Sequence, residues 1–179
     1  MINKVRDLRK MLAHRQTVCA STPGWYRWWC DKEAANEILS QIGVSKVNVP
    51  LLRREIDGRE YVAIYFGISN DLNGRIKWHV CQNHTAGAVR SGFLSTLRQS
   101  LSALLGSDMT KSQQPVNEFM DAHCYLEYEN LLTYNEAKDK EKQELSHTDY
   151  FYPLNISEAK STPKQIKNRL ITLRKLHKR

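Results

Sequence analysis

The apolar positions between residues 61 and 80 change their spacing part of the way along. The run YVAIYFG, residues 61–67, is short and apolar, which is typical of a strand. Further on, apolar residues recur at every fourth position and predict a helix over 70–80. These residues are Leu72, Ile76 and Val80. Arg75 and His79 are also four residues apart, and they fall beside this apolar stripe. The pattern therefore predicts a strand leading into a helix that holds an arginine and a histidine toward its packing side.

Similar patterns predict the other elements of the chain. Helical spacing recurs in the segments 2–15, 32–42, 93–105, 134–145 and the residues after 163. Extended character recurs at 24–30 and 124–132. Pro115 is placed to begin a further helix, and Asp57-Gly58 is typical of a two-residue hairpin turn. Antiparallel strands mixed with helices indicate an α+β fold. We expect a small antiparallel sheet with a three-stranded core and room for an added hairpin strand, flanked by helices.

Composition narrows the class of protein. The chain has 179 residues, 41% of them apolar, which suits one globular domain, and its formal net charge is +8. A basic balance favours a polyanionic partner, most often nucleic acid, although basic proteins without that role have the same composition. No stretch approaches the ~20 apolar residues of a membrane-spanning helix, and the charged N-terminal segment lacks the apolar region of a secretory signal. The four cysteines form no CxxC pair and are typical of reduced thiols. We expect a cytoplasmic protein with no membrane contact.

The most polar of the predicted helices carries an acidic residue on its inward side. The only apolar stripe it can form consists of Tyr134, Ala137 and Leu145. At about 100° per residue, Glu141 falls in the middle of that stripe and Glu144 at its edge. An inward carboxylate is unfavourable unless it meets a cation or a hydrogen-bond network. Two interpretations remain: the helix packs weakly and Glu141 is solvated, or Glu141 faces a metal ion in a cleft.

Arg75 and His79 allow a similar choice. Taken singly, a histidine beside apolar residues is usually a hydrogen-bonded core residue. An arginine at a helix edge usually forms a surface ion pair. Together, in a basic chain, they suggest a phosphate-binding corner in which the guanidinium holds oxygen and the imidazole handles protons. Gly74 lies between the strand and these residues. A glycine within a helix costs about 1 kcal/mol relative to alanine, so we expect another group to approach closely there.

Two tripeptides give these residues a context. Gly24-Trp25-Tyr26 on one predicted strand and Tyr65-Phe66-Gly67 on another resemble the two halves of the GIY-YIG nuclease signature. Arg75 follows Tyr65 by ten residues, as the arginine of that family follows its second tyrosine, and His79 matches a histidine found in some members. Further matches are Glu141 on a later helix and Asn155 in the sequence YPLN. The resemblance covers residues 23–155, and its ordered set of residues is more specific than either tripeptide.

The resemblance implies a metal-dependent DNA endonuclease that hydrolyses a phosphodiester bond with water. It implies that Glu141, or alternatively Glu144, binds one Mg²⁺ or Mn²⁺ ion together with the substrate, and that Arg75 stabilises charge on the phosphate. Either Tyr26 or Tyr65 would activate the water, and the sequence leaves open which. His79 would transfer a proton, and Asn155 would maintain the geometry of the site. Isoleucine stands at position 68, where several members have a lysine, so a second cation at the phosphate is not assured.

The same resemblance suggests how the chain is divided and how DNA is held. We expect an N-terminal helical extension over 1–20, a nuclease domain over 21–157 and a basic C-terminal helix over 158–179. Phosphate contacts are expected from basic residues outside the cleft, although the basic helix could equally be a solvated face. The candidates are Arg53, Arg54, Lys164, Lys167, Arg169, Arg174, Lys175, Lys178 and Arg179.

Other functions compete with this one. The fold could serve as a non-catalytic DNA-binding module, or the matches could be coincidental in a basic RNA-associated protein. The sequence HVCQNH, residues 79–84, could supply zinc ligands, but zinc needs four and the nearest further candidates are His123 and Cys124. Neighbouring strand residues point to opposite faces, so we do not expect a structural zinc site. The chain could act as a monomer or a homodimer.

Overall fold

A computed structural model describes residues 1–157 and 159–178 and has an α+β fold, as the sequence predicts. The strands are β1 (Ile2–Lys4), β2 (Gly24–Asp31), β3 (Arg53–Ile56), β4 (Arg59–Ser69) and β5 (Cys124–Asn130). The α-helices are α1 (Val5–Ala13), α2 (Lys32–Ser40), α3 (Leu72–Cys81), α4 (Ala86–Ser91), α5 (Thr96–Leu104), α6 (Gln113–His123), α7 (Tyr134–Leu145) and α8 (Lys164–Leu176). The strands form one sheet in the order β1-β5-β2-β4-β3, and every neighbouring pair is antiparallel.

The N-terminal segment joins this sheet. Residues 2–15 were expected to form one helix, but Ile2–Lys4 pairs with β5 and the helix begins at Val5. The apolar spacing of Val5 and Leu8 does mark the buried face of α1, and both side chains are almost fully buried. The expectation was wrong at the first residues because strand pairing depends on a partner more than a hundred residues away. The sheet therefore has one strand more than the three-stranded core and hairpin that the sequence predicts.

The predicted hairpin is confirmed. Asp57 and Gly58 connect β3 to β4, and both have positive φ angles, 50° and 74°. A two-residue turn of this kind matches the right-handed twist of the two strands. The sequence prediction missed the short helix α4, and α5 begins at Thr96 rather than at 93 because Ser95 caps its N-terminus.

Helices cover both faces of the sheet, and β2 divides its side chains between two cores. Tyr26 and Trp28 face one core, which includes apolar residues of α1, α2, α3, α5 and α8. Trp25 and Trp29 face the other core, together with Leu145 at the end of α7. The alternation of β2 is the pattern expected of a strand buried on both faces.

A β-bulge in β4 sets the direction of one functional side chain. Trp28 is opposite Tyr65, but Trp29 is opposite Ala63, so Ile64 is an extra residue in the ladder. Ile64 and Tyr65 consequently face the same core although they are adjacent. Bulges of this kind redirect side chains and are common beside active sites. Here the bulge turns Tyr65 to the same face of the sheet as Tyr26.

Candidate active site

The two tyrosines lie side by side on β2 and β4. Their ring centroids are 6.3 Å apart and the rings are stacked. Tyr26 is opposite Gly67, and a Cβ atom at Gly67 would lie 2.5 Å from the Tyr26 hydroxyl oxygen. Tyr26 is 3% exposed, whereas Tyr65 is half-buried. The predicted strand ends at Gly67, but β4 continues to Ser69, and the close neighbour of Gly67 is the Tyr26 ring. The glycine is needed because the phenol lies across it.

Helix α3 begins at the end of β4 and brings two further side chains to this face. The carboxylate of Asp71 caps the helix by accepting a hydrogen bond of 2.9 Å from the backbone N–H of Gly74. A Cβ atom at Gly74 would collide with this carboxylate. The close neighbour expected at Gly74 is therefore the cap of its own helix, in the first turn rather than mid-helix. The cap fixes the start of the helix that carries Arg75 and His79.

His79 is buried against Tyr26. Its Nε2 lies 2.8 Å from the Tyr26 hydroxyl oxygen, and among the described residues no group bonds to Nδ1. A buried N–H without an acceptor is the rarer and less favourable arrangement, so the proton is best placed on Nε2, from which it is donated to Tyr26. Burial, Arg75 and Arg98 lower the pKa of His79 to about 3. The imidazole is therefore neutral at physiological pH and acts as a hydrogen-bond donor to the phenol.

Arg75 lies over the neighbouring ring of Trp78, with 4.6 Å between the guanidinium carbon and the ring centroid. Burial raises the pKa of both tyrosines, and the charge of Arg75 acts on both in the opposite direction. The side chain is partly exposed. Arg75 can therefore influence the phenols and still reach a ligand at the surface.

Glu141 acts on the two phenols from a fourth element. It lies on α7, and its negative charge raises the pKa of Tyr26 and of Tyr65, which places it within electrostatic reach of both. Its side chain is partly exposed. A partly exposed carboxylate is the kind of oxygen donor that Mg²⁺ and Mn²⁺ accept.

The inward face of α7 differs from the prediction. Ala137, Glu144 and Leu145 are its buried residues, whereas Glu141, predicted at the middle of the stripe, is only partly buried. Tyr134, which was used to define the stripe, is only partly buried. The spacing identified the inward face and the two carboxylates on it, but not which of the two is buried.

Glu144 is buried because it has a cation to meet. It is 5% exposed, and its carboxylate lies 2.8 Å from Nη2 of Arg27 and 3.0 Å from Nζ of Lys140. It also accepts hydrogen bonds from the hydroxyls of Tyr150 at 2.9 Å and Tyr152 at 2.5 Å. Desolvation alone would raise the pKa of Glu144, but these partners outweigh it and hold the value at about 2. With its oxygens engaged in this way, Glu144 joins α7 to the sheet.

Asn155 holds β4 at the residue between Tyr65 and Gly67. Its side-chain oxygen accepts a hydrogen bond from the backbone N–H of Phe66, and its side-chain nitrogen donates one to the carbonyl of Phe66, both at 2.8 Å. The side-chain amide of Asn155 thus satisfies both backbone polar groups of Phe66, as a neighbouring strand would. It fixes the backbone on which both functional residues of β4 depend.

The basic residues expected to hold DNA lie in different surroundings. Arg174 is partly buried, donates a hydrogen bond to Gln99 and is close enough to Tyr65 to counteract the rise of that phenol's pKa. This proximity could not be inferred from sequence, because α8 lies a hundred residues beyond β4. Lys167 is partly buried and Lys175 is exposed on the same helix. Residues 158 and 179, at the predicted domain boundary and in the basic tail, lie outside the described residues.

Arg53 and Arg54 lie on β3 and have acidic partners. Arg53 is 2.8 Å from Glu60, and Arg54 is 2.8 Å from Glu127. They are opposite residues 62 and 61 of β4, three to four positions before Tyr65. At ~3.3 Å per residue this separates them from the tyrosine by about 10–13 Å along the strand.

The residues considered as zinc ligands are engaged elsewhere. His84 bonds through Nε2 to Arg98 at 2.7 Å and through Nδ1 to Ser112 at 2.9 Å. Within residues 1–157 and 159–178, no three His, Cys, Asp or Glu side chains are grouped so as to hold a metal ion. Over the same residues, no helix has the length and apolar character needed to cross a bilayer.

Comparison with known proteins agrees with this arrangement. The family model described as the GIY-YIG catalytic domain matches residues 24–176, from the first residue of β2 to the last of α8. No curated protein and no solved structure matches the chain.

Proposed function

The chain belongs to the GIY-YIG catalytic-domain family, a family of nucleases, and on this premise we propose that it is a metal-dependent DNA endonuclease. The observation that carries the proposal is that Tyr26, Tyr65, Arg75 and His79 lie together and that Glu141 is within electrostatic reach of both phenols. These residues come from four separate elements. A phenol, a guanidinium and a carboxylate supply a base, a phosphate clamp and a metal ligand. The proposed reaction is attack of water on a phosphodiester bond.

We assign the general base to Tyr65. It is the more exposed of the two phenols, so it can reach a water molecule beside the substrate. Its pKa is raised by burial, but Arg75, Arg174 and the Tyr26 hydroxyl all favour its ionised form. Burial raises the pKa of Tyr26 more strongly, and the neighbouring phenol adds to that effect. Tyr65 is therefore the phenol that gives up its proton more readily.

Tyr26 and His79 then form a support for that base. The Nε2–H of His79 donates to the Tyr26 oxygen, which leaves the Tyr26 hydroxyl proton to point at Tyr65. This direction stabilises negative charge on Tyr65 as its proton leaves. A neutral histidine whose pKa is about 3 is a weak proton acceptor, so in this mechanism His79 orients Tyr26 instead of receiving the proton.

Two arginines surround the reacting phosphate in this proposal. Arg75 is placed to stabilise the charge that develops on the phosphate oxygens, since it is exposed enough to reach them. Arg174 supplies a second positive charge beside Tyr65, which is of interest because position 68 carries isoleucine rather than lysine.

The residues present fit one divalent ion. Glu141 would hold Mg²⁺ or Mn²⁺, with water and phosphate oxygens as the remaining ligands, since such ions are often bound by one or two carboxylates together with substrate phosphates. When bound, the ion polarises the phosphate and stabilises the leaving oxygen. Glu144 is a weaker candidate because Arg27, Lys140 and two tyrosine hydroxyls already occupy its carboxylate.

Cleavage assays test the proposal. Supercoiled plasmid and branched, flap and duplex oligonucleotides would be incubated with Mg²⁺, Mn²⁺ or EDTA. We expect metal-dependent cutting that Arg75→Ala and Glu141→Gln reduce by at least about a hundredfold while DNA affinity is retained. Lys77→Ala and Asp139→Asn, at exposed positions of the same two helices, are the matched controls. Tight DNA binding without cutting of any substrate would favour the non-catalytic binding module instead.

A further inference from the structure

A pocket opens beside Arg75, where β4 ends and α3 begins. Its volume is about 470 Å³, and we call it the Phe93 pocket. The residues that line it include Ser69, Asp71, Gly74, Arg75, Trp78 and Phe93. The catalytic proposal gives Arg75 a phosphate to hold and assigns no role to the rest of this surface.

Phe93 is an exposed aromatic residue on a fixed backbone. Its side chain is 67% exposed, yet the backbone of residues 93–95 is held by a single side-chain amide. Gln82, at the end of α3, donates to the carbonyl of Phe93 at 2.9 Å and accepts from the N–H of Ser95 at 2.8 Å. Gly92, with φ of 75°, supplies the left-handed turn before it. The ring is thus presented to solvent by a structured loop.

The wall of the pocket is a row of a cation and two rings. The guanidinium of Arg75 lies 4.6 Å from the Trp78 ring centroid, and the rings of Trp78 and Phe93 are 5.8 Å apart. Aromatic faces next to a cation that meets the sugar-phosphate backbone are the usual platform for unpaired nucleobases. The row begins at the residue that the proposed function places on the scissile phosphate.

Asp71 at the pocket's edge argues against a second phosphate. Its side chain is exposed and carries a carboxylate, which would repel a phosphate group but can accept a hydrogen bond from the amino group of a base. The pocket therefore combines aromatic ring faces with a hydrogen-bond acceptor. Its positive charge is that of Arg75, which lies toward the proposed catalytic site.

We propose that the Phe93 pocket binds an unpaired nucleobase next to the scissile phosphate. In a continuous duplex each base is stacked on its neighbours and paired, so its faces are closed to a protein ring unless the base is extruded. The preferred substrate is consequently DNA with an unpaired nucleotide at the cleavage point, such as a flap, a bulge or a branch. This inference rests on the proposed function, because Arg75 on the phosphate is what sets the position of the base.

A binding experiment without metal tests the pocket apart from catalysis. A flap oligonucleotide would carry the fluorescent base 2-aminopurine at the unpaired position, and its emission would be followed on binding to the full chain. We expect quenching with the wild type and with Phe93→Tyr, and none with Phe93→Ala at saturating protein. The control is Leu132→Ala, since Leu132 is another exposed apolar residue, 91% exposed, that does not line the pocket. Unchanged quenching in Phe93→Ala would overturn the proposal.

Cleavage rates then separate this inference from the proposed function. On the unpaired substrate, Phe93→Ala should lower the cleavage efficiency by about 5- to 150-fold, the range expected for loss of one base–aromatic stack, with little effect on a fully paired duplex. If cutting depends on Arg75 and Glu141 but Phe93→Ala cuts both substrates like the wild type, the pocket proposal fails and the endonuclease stands. If quenching depends on Phe93 but nothing is cut, the endonuclease fails and the base pocket stands.

Discussion

Tyr65 depends on charges that reach it from two helices. A phenol must lose its proton to act as a base, and burial raises the pKa of Tyr65 above its ordinary value. Arg75 on α3 and Arg174 on α8 both act against that rise. At the scale of a single residue, the pKa of Tyr65 therefore reflects a balance between desolvation, which favours the neutral phenol, and positive charge, which favours the ionised phenol.

This balance predicts a pH profile. Because the ionised phenol is the active form and its pKa is raised, the cleavage rate should increase from about pH 6 to about pH 9. Arg174→Met removes a charge that lowers this pKa, so the profile should move to higher pH and the rate at about pH 8 should fall several-fold. The measurement is the single-turnover rate against pH, with Lys77→Ala, at an exposed position, as the control. Because this pKa lies above the range measured, the variant should be slower than the wild type by a similar factor throughout. A variant that cuts at the rate of the wild type across this range would contradict the role given to Arg174.

Glu144 shows how an acidic residue can belong to the framework of a site. Its pKa is about 2 in the folded protein and 4.5 without the structure, so it stabilises the fold above about pH 4.5 and this contribution is lost as the pH falls through about 2. Glu144→Gln should reduce the free energy of unfolding at pH 7 by about 3 kcal/mol, since Arg27 loses a buried partner. Denaturant unfolding at pH 7 and at lower pH measures both effects.

The control for that prediction is Asp139→Asn, an exposed carboxylate on the same helix. The wild type should lose stability between about pH 4.5 and about pH 2 more steeply than Glu144→Gln. Equal acid sensitivity in the two proteins would show that the Arg27–Glu144 pair does not join α7 to the sheet as described.

At the scale of the elements, β2 and β4 form the site because their register and the bulge act together. The register places Tyr26 over Gly67, and the bulge at Ile64 brings Tyr65 to the same face. Asn155 then fixes the intervening residue, Phe66, by both of its backbone groups. The geometry of the two phenols is thus a property of the sheet and of the loop after α7.

Gly67→Ala tests this geometry. The added Cβ would lie 2.5 Å from the Tyr26 hydroxyl oxygen, so the phenol must move, and a displacement of about 1 Å can reduce a rate by about a hundredfold. We expect that loss in single-turnover cleavage, with a folded protein by circular dichroism. Gly87→Ala is the control, because a Cβ there would have only ordinary contacts. Activity near that of the wild type would mean that the Tyr26–Gly67 contact is not needed.

Sequence patterns predicted the elements well and their mutual arrangement less well. The spacing of Leu72, Ile76 and Val80 marked α3 correctly, because helical periodicity is a local property. The β1 strand, the bulge and the position of Arg174 depend on partners far along the chain, and no local pattern contains them.

The acidic helix shows a second limit of prediction from sequence. Periodicity gave the bounds of α7 and its inward face, but not which of the two inward glutamates is buried. A buried carboxylate satisfied by Arg27 looks, in the sequence, like an interruption of the apolar stripe. Short-range spacing identifies which face of a helix is unusual, whereas only the packed structure tells which charge lies opposite.

At the scale of the whole molecule, a net charge of +8 should make DNA binding strongly dependent on salt. We expect α8 to contribute phosphate contacts through Lys167 and Lys175. Replacing both with glutamine should reduce the slope of log affinity against log salt concentration by about 1.8, or ~0.9 per lost contact. Fluorescence anisotropy with a duplex oligonucleotide at several salt concentrations provides the measurement.

The double substitution Arg53→Gln/Arg54→Gln is the comparison for the salt experiment. These arginines are paired with Glu60 and Glu127 at the edge of the sheet, so their loss should change the slope less. If the slope falls for the β3 variant and not for the α8 variant, the DNA contacts the β3 edge of the sheet instead of α8.

The most direct test of the account is single-turnover cleavage of a flap oligonucleotide in Mg²⁺ by Tyr65→Phe and Tyr26→Phe. Both substitutions keep the rings and remove only the hydroxyls. If Tyr65 is the base and Tyr26 its support, Tyr65→Phe should lose at least about a thousandfold in rate, Tyr26→Phe should lose less, and both should bind DNA like the wild type. Cleavage by Tyr65→Phe at the rate of the wild type would contradict the account.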